Sequence, residues 1–170
     1  MPTREMVADR IDRFSEASGA LVSWLTLAMV LLTVVIVVMR YVFDAGLVWM
    51  QETLTWMHAA VFMLGAAYTL QRDEHVRVDI FYRDMSERRR AIVDASGVIL
   101  FLLPLCGFLV VEAWPYVSAS WSISEISRDT GGLPYPAVPL LKSMLLVMPL
   151  LVALQGVALL IRSLLRVGKD

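Results

Sequence analysis

The most constraining feature of this sequence is where its charges are missing. No Asp, Glu, Lys or Arg lies between Glu16 and Arg40, between Glu52 and Arg72, between Asp94 and Glu112, or between Lys142 and Arg162. Each gap is close to the ~20 helical residues that cross a hydrocarbon core of ~30 Å. Inside lipid a helix satisfies its backbone polar groups without help from other segments. The chain therefore reads as an all-α integral membrane protein with four transmembrane helices, at about 19–39, 53–71, 91–114 and 143–161. They form one membrane domain over residues 1–170 and leave no length for a separate water-soluble domain. Composition agrees, with 58% hydrophobic and 18% charged residues against the usual ~45–50% and ~25%. A soluble enzyme is excluded. A net charge of −1 gives no nucleic-acid footprint, which needs a basic patch.

Basic residues in short loops mark the cytoplasmic side of a membrane protein. Of the 15 here, Arg4, Arg10 and Arg13 precede the first span. Arg72, Arg77, Arg83, Arg88, Arg89 and Arg90 lie between spans two and three, and Arg162, Arg166 and Lys169 follow the fourth. Only Arg40, Arg128 and Lys142 fall on the other side. Both termini are expected in the cytoplasm. The first apolar run is too long for a signal-peptide core and lacks a small-residue cleavage site, so it reads as a retained span.

Residues 3–18 place Val7, Ile11, Phe14 and Ala17 among charges, the pattern of an interfacial helix or of a cytoplasmic extension of span one. Ser15, Gly19 and Ser23 form a row of small residues that lets another helix approach closely. The connection Arg40–Glu52, with Phe43, Leu47, Val48 and Trp49, is apolar enough to rest on the outer interface. The exit from span two, QRDEHVRVD, alternates valines with charges as a short extended link does. Ser86 and Glu87 supply an N-cap and an acidic first turn for the third helix. That helix is expected to kink at Pro104 and to end at Trp114, before Pro115. From Val117 to Leu141, two glycines and three alternating prolines preclude a spanning helix. This segment is either an ordered outer lid or a plain surface loop.

Chemistry-bearing residues are sparse. His58 lies only six residues, ~9 Å of helix, inside Glu52, so it is either an interfacial packing group or a proton relay. His75 lies about 17 residues, ~25 Å, further on, too far for both to ligate one haem. Cys106 stands alone, which precludes an internal disulfide. No catalytic, cofactor-binding or metal-binding motif is present. The charges at the span ends, Arg40, Glu52, Asp94 and Glu112, are either solvated or paired with another subunit. Trp24, Trp49, Trp56, Trp114 and Trp121 read as interface anchors.

Three stretches carry a resemblance. They are Arg40–Phe43 with Trp49 and Glu52, Leu64–Asp79 as LGAAYTLQRDEHVRVD, and Ser127–Pro134 as SRDTGGLP leading into Lys142. In order and spacing the chain resembles the small, DctQ-like membrane subunit of tripartite ATP-independent periplasmic (TRAP) transporters. Gln51 departs from the pattern, since many relatives have an acid beside Glu52. The resemblance implies a multi-pass protein of the bacterial inner membrane that has no cofactor and is not an enzyme. A large DctM-like membrane subunit would carry the substrate and ion sites and move as an elevator. A DctP-like periplasmic solute-binding protein would deliver small organic acids, with sodium coupling. The small subunit would be the static scaffold. Arg40, Trp49, Glu52, Trp56, Gly65, Arg128 and Asp129 are then the candidate partner contacts. Arg83, Arg88, Arg89 and Arg90 would fix orientation against anionic headgroups, at about 1 kcal/mol each. The rival readings are a stand-alone proton or metabolite carrier and a membrane anchor of a redox complex.

Overall fold

A computed structural model describes residues 2–72, 82 and 84–168, with side chains from Met6 onward. Its elements are all helical: α1 (Pro2–Val42), α2 (Val48–Gln71), α3 (Glu87–Gly97), α4 (Leu103–Ser122) and α5 (Ala137–Val167), with a π-helical turn, Val98–Leu102, joining α3 to α4. Among the described residues, three helical stretches are long and apolar enough to cross a membrane: Met6–Val42, Glu87–Ser122 and Ala137–Val167. The expected second span, 53–71, is helical throughout as part of α2.

The N-terminal segment is not a separate element. Residues 2–42 form one helix of 41 residues, ~62 Å long at ~1.5 Å per residue. Of the four apolar residues expected on one face, only Ile11 is buried, while Val7 and Phe14 are exposed. The packed stripe is instead Ala8, Ile11 and Ser15, set against Ala158 and Ile161 of α5. Small side chains win this face because they admit the neighbouring backbone. The same row continues at Gly19, where an added Cβ would stand 2.5 Å from the Tyr68 ring of α2.

α1 ends with Arg40 in its last turn, where a cation suits the negative end of the helix dipole. Asp44 then turns the chain at φ 51°, a left-handed conformation that Asp tolerates better than most residues. The N–H of Ala45 reaches back to the Met39 carbonyl at 2.9 Å, which closes the turn.

α3 begins as expected, with the Ser86 hydroxyl accepting the Arg89 N–H at 3.4 Å. Its continuation has a π turn before Pro104 and differs from the expectation at Pro115. Pro104 has no N–H to give the preceding turn. The strain is taken up by the π turn, in which the N–H of Leu103 bonds Val98, an i→i−5 closure that widens the helix. Pro115 does not end the helix, which runs on to Ser122. A proline removes one backbone bond, and the turns on either side keep theirs. The irregular connection is therefore shorter than expected, residues 123–136, because Ala137–Leu141 begins α5.

α5 is the hub. It packs against α1, α2, α3 and α4, and it buries Met144, Pro149, Gln155, Gly156, Ala158 and Ser163. The bundle thus has a loop end, with residues 43–47 and 123–136, and a terminal end, where the start of α1 meets the end of α5.

Candidate functional site: the braced loop end

One turn into α2, Glu52 points at the connection between α4 and α5. Its Oε2 accepts the backbone N–H of Leu133 at 2.6 Å, and its Oε1 accepts the Ser127 hydroxyl. Both bonds favour the ionised form, so the carboxyl lies below the usual carboxylate range, the Leu133 bond being the larger cause. Ser127 Oγ also accepts the N–H of Asp129 at 3.1 Å, a short side-chain turn.

The glycine pair of SRDTGGLP divides its work. Gly131 sits at φ +80° in the turn closed by the Gly132 N–H on the Asp129 carbonyl at 3.0 Å. This is the third turn position, where a positive φ calls for glycine. Gly132 is needed for space, since an added Cβ would lie 2.6 Å from Ser127 Cβ and 2.7 Å from Glu52 Oε1.

Four residues further along α2, the indole N–H of Trp56 donates to the Ala137 carbonyl at 3.2 Å. Glu52 and Trp56 thereby hold the two ends of residues 133–137. A cavity of about 180 Å³ lies between them, lined by Thr55, Leu133, Val138 and Leu141. On the far side of the loop, Lys142 pairs with Glu125 at 2.5 Å and lies 4.0 Å from the centre of the Tyr116 ring. The Lys142 bond holds the Glu125 carboxyl below its ordinary range. Trp121 donates to Ser143 at 2.9 Å. The connection is therefore tied to α2 through Glu52 and Trp56 and to α5 through the Glu125–Lys142 pair.

The candidate residues named from the sequence separate into groups. Glu52 and Trp56 build the brace. Arg128 and Asp129 are exposed at its tip, and Arg40 and Trp49 are exposed on the neighbouring helix ends. Gly65 lines the groove between α1 and α2, where an added Cβ would stand 3.7 Å from Val22 Cγ1. His58 is exposed and packs against Phe62, with ring centres 4.7 Å apart and the rings tilted by 56°. Arg88 and Arg89 are exposed at the start of α3, and Arg90 lies over the Tyr82 ring. Arg83, His75 and most of the QRDEHVRVD link lie outside the described residues.

Sequence reasoning missed a second brace at the terminal end. Gln155, 2% exposed, accepts the Ser15 hydroxyl at 2.9 Å and donates to Asp12 at 2.9 Å. Asp12 pairs with Arg162, which also reaches Asp9 at 3.6 Å. The available signal was Gln155 itself, a lone amide in the apolar run of span four. A buried amide requires partners. Arg72 and Glu16 pair at 3.4 Å with both side chains about half exposed, an arrangement that contributes little.

Residues 29–166 match the family model described as tripartite ATP-independent periplasmic transporters, DctQ component. The chain is similar to the C4-dicarboxylate TRAP transporter small permease protein DctQ of Vibrio cholerae serotype O1, with 28% identity over 108 residues. That alignment covers 63% of this chain and 46% of the relative, so the match spans a little under half of the relative's length. No solved structure matches. The family match takes in α2 to α5 almost entire, including the Glu52 brace and the SRDTGGLP turn. The chain belongs to the DctQ component family of the tripartite ATP-independent periplasmic transporters, and is a multi-pass membrane component of a transporter rather than an enzyme.

Proposed function

We propose that this chain is the static scaffold subunit of a secondary-active uptake transporter for small organic acids in a bacterial inner membrane. In this reading α2 is a fourth span and both termini are cytoplasmic, as the distribution of basic residues requires. A large DctM-like subunit binds substrate and sodium and moves against this bundle. A DctP-like periplasmic protein delivers the substrate and touches the loop end at Arg128 and Asp129.

The observation that carries the reading is the bracing of the bundle at both ends. A scaffold has to hold its shape while its partner moves, and chain segments far apart in sequence are fastened here by Glu52 at one end and Gln155 at the other. The dicarboxylate named for the Vibrio cholerae relative supports the substrate class.

The test is recovery of the tagged chain from native membranes in mild detergent, with mass spectrometry of what accompanies it. One large multi-span protein is expected. Uptake into vesicles holding all three components should fall in Arg128→Ala with the membrane pair still intact. A chain that purifies alone and moves solute in liposomes overturns the proposal.

A further inference from the structure

A long apolar groove runs down one side of the bundle between α3–α4 and α5. Its volume is about 660 Å³, and its walls include Val98, Phe101, Leu105, Met148 and Val152. Val93 and Leu109 mark its two ends along the helix, ~24 Å apart at ~1.5 Å per residue. One leaflet of a ~30 Å hydrocarbon core is ~15 Å deep, so the groove runs from headgroup level to beyond the midplane. The π turn lines it, through Val98, Phe101 and Leu102.

The mouth of the groove carries charge. Residues three and four apart share a helix face, so Arg89 and Arg90 stand one turn above the lining residues Val93 and Asp94. Arg88 and Arg89 are exposed. Arg90 lies 5.4 Å from the centre of the Tyr82 ring, and Tyr82 donates its hydroxyl to Asp94 at 2.9 Å. The segment ERRRAIVD has three arginines against Glu87 and Asp94, so this first stretch of α3 carries a net positive charge.

We infer that this groove holds one acyl chain of an anionic phospholipid, with the phosphate at Arg89 and Arg90. The inference rests on the chain crossing the membrane and is independent of the scaffold role.

Gly97 provides the test. It lines the groove, and an added Cβ there meets nothing within 4 Å, so Gly97→Phe starts from open space at the groove wall and places a ring in the groove. The full chain, purified in detergent, is incubated with dioleoyl phosphatidylglycerol or dioleoyl phosphatidylcholine and read by native mass spectrometry. One phosphatidylglycerol should be retained in preference to phosphatidylcholine. Gly97→Phe should weaken its retention roughly tenfold or more. Arg89→Gln with Arg90→Gln should remove the preference between the two lipids. Leu105→Trp blocks the same groove lower down, and serves if Gly97→Phe fails to fold. Equal retention by the groove-filling variants overturns the proposal, as does equal retention of both lipids by the unaltered chain. A photo-crosslinker at Phe101 that captures protein rather than lipid in native membranes also overturns it.

Discussion

The carboxylate of Glu52 on α2 accepts the backbone N–H of Leu133, 81 residues further along the chain, at 2.6 Å. The amide form at position 52 keeps the shape but loses the charge and one of two acceptors. Glu52→Gln should release the 123–136 connection, making tryptic cleavage after Arg128 several-fold faster while the helix content stays unchanged. Gly132→Ala should do the same by steric means, because its Cβ lands on Ser127 and Glu52. A cleavage rate equal to that of the unaltered chain in both variants would sink the brace.

The brace also sets a pH response. Glu52 and Glu125 both have lowered pKa values, from the Leu133 and Lys142 bonds respectively. A depressed carboxylate stabilises the folded form above its unfolded pKa, and that contribution is lost as pH falls through the lowered value. The loop end should therefore stay closed from neutral pH through the ordinary carboxylate range and open only below it. Trp56 fluorescence, taken as the difference from a Trp56→Phe variant, follows this opening. In Glu52→Gln its own share of the transition should vanish and the Glu125 share remain.

Gln155 holds the terminal end together. Gln155→Ala removes a donor to Asp12 and an acceptor for Ser15 within a buried site. A loss of about 1–3 kcal/mol is expected for stranding such groups, seen as a lowered thermal midpoint in detergent. Combining it with Ser15→Ala should cost less than the sum of the two, because both act on one network.

Two glycines separate tolerance from clash. Gly19→Ala puts a Cβ 2.5–2.9 Å from three Tyr68 ring carbons, so α1 and α2 must part, at about 1–3 kcal/mol. Gly65→Ala meets only Val22 at 3.7 Å and should be neutral or slightly stabilising through helix propensity, at up to about 1 kcal/mol. Thermal melts of the two variants check the order, and a reversed order would refute the packing.

What the sequence determined by itself was whatever depends on one segment at a time. The charge-free runs determined helices of bilayer length, because lipid leaves a single segment no other way to satisfy its backbone. Ser86 determined a helix start, and the glycine pair in SRDTGGLP determined a turn, since both are local backbone effects. Tertiary structure decided what depends on pairs. Pro115 reads as a stop from its neighbours alone, yet the helix passes through it to Ser122. The apolar pattern of residues 3–18 pointed to Val7 and Phe14, but close packing against Ala158 selected the smaller stripe of Ala8 and Ser15. Glu52 was legible as an end charge, whereas its partners Ser127 and Leu133 were not. They become neighbours only when α2 and α5 pack, and the hydrogen bonds that fix them join residues 75 and 81 apart, a separation that no local pattern encodes.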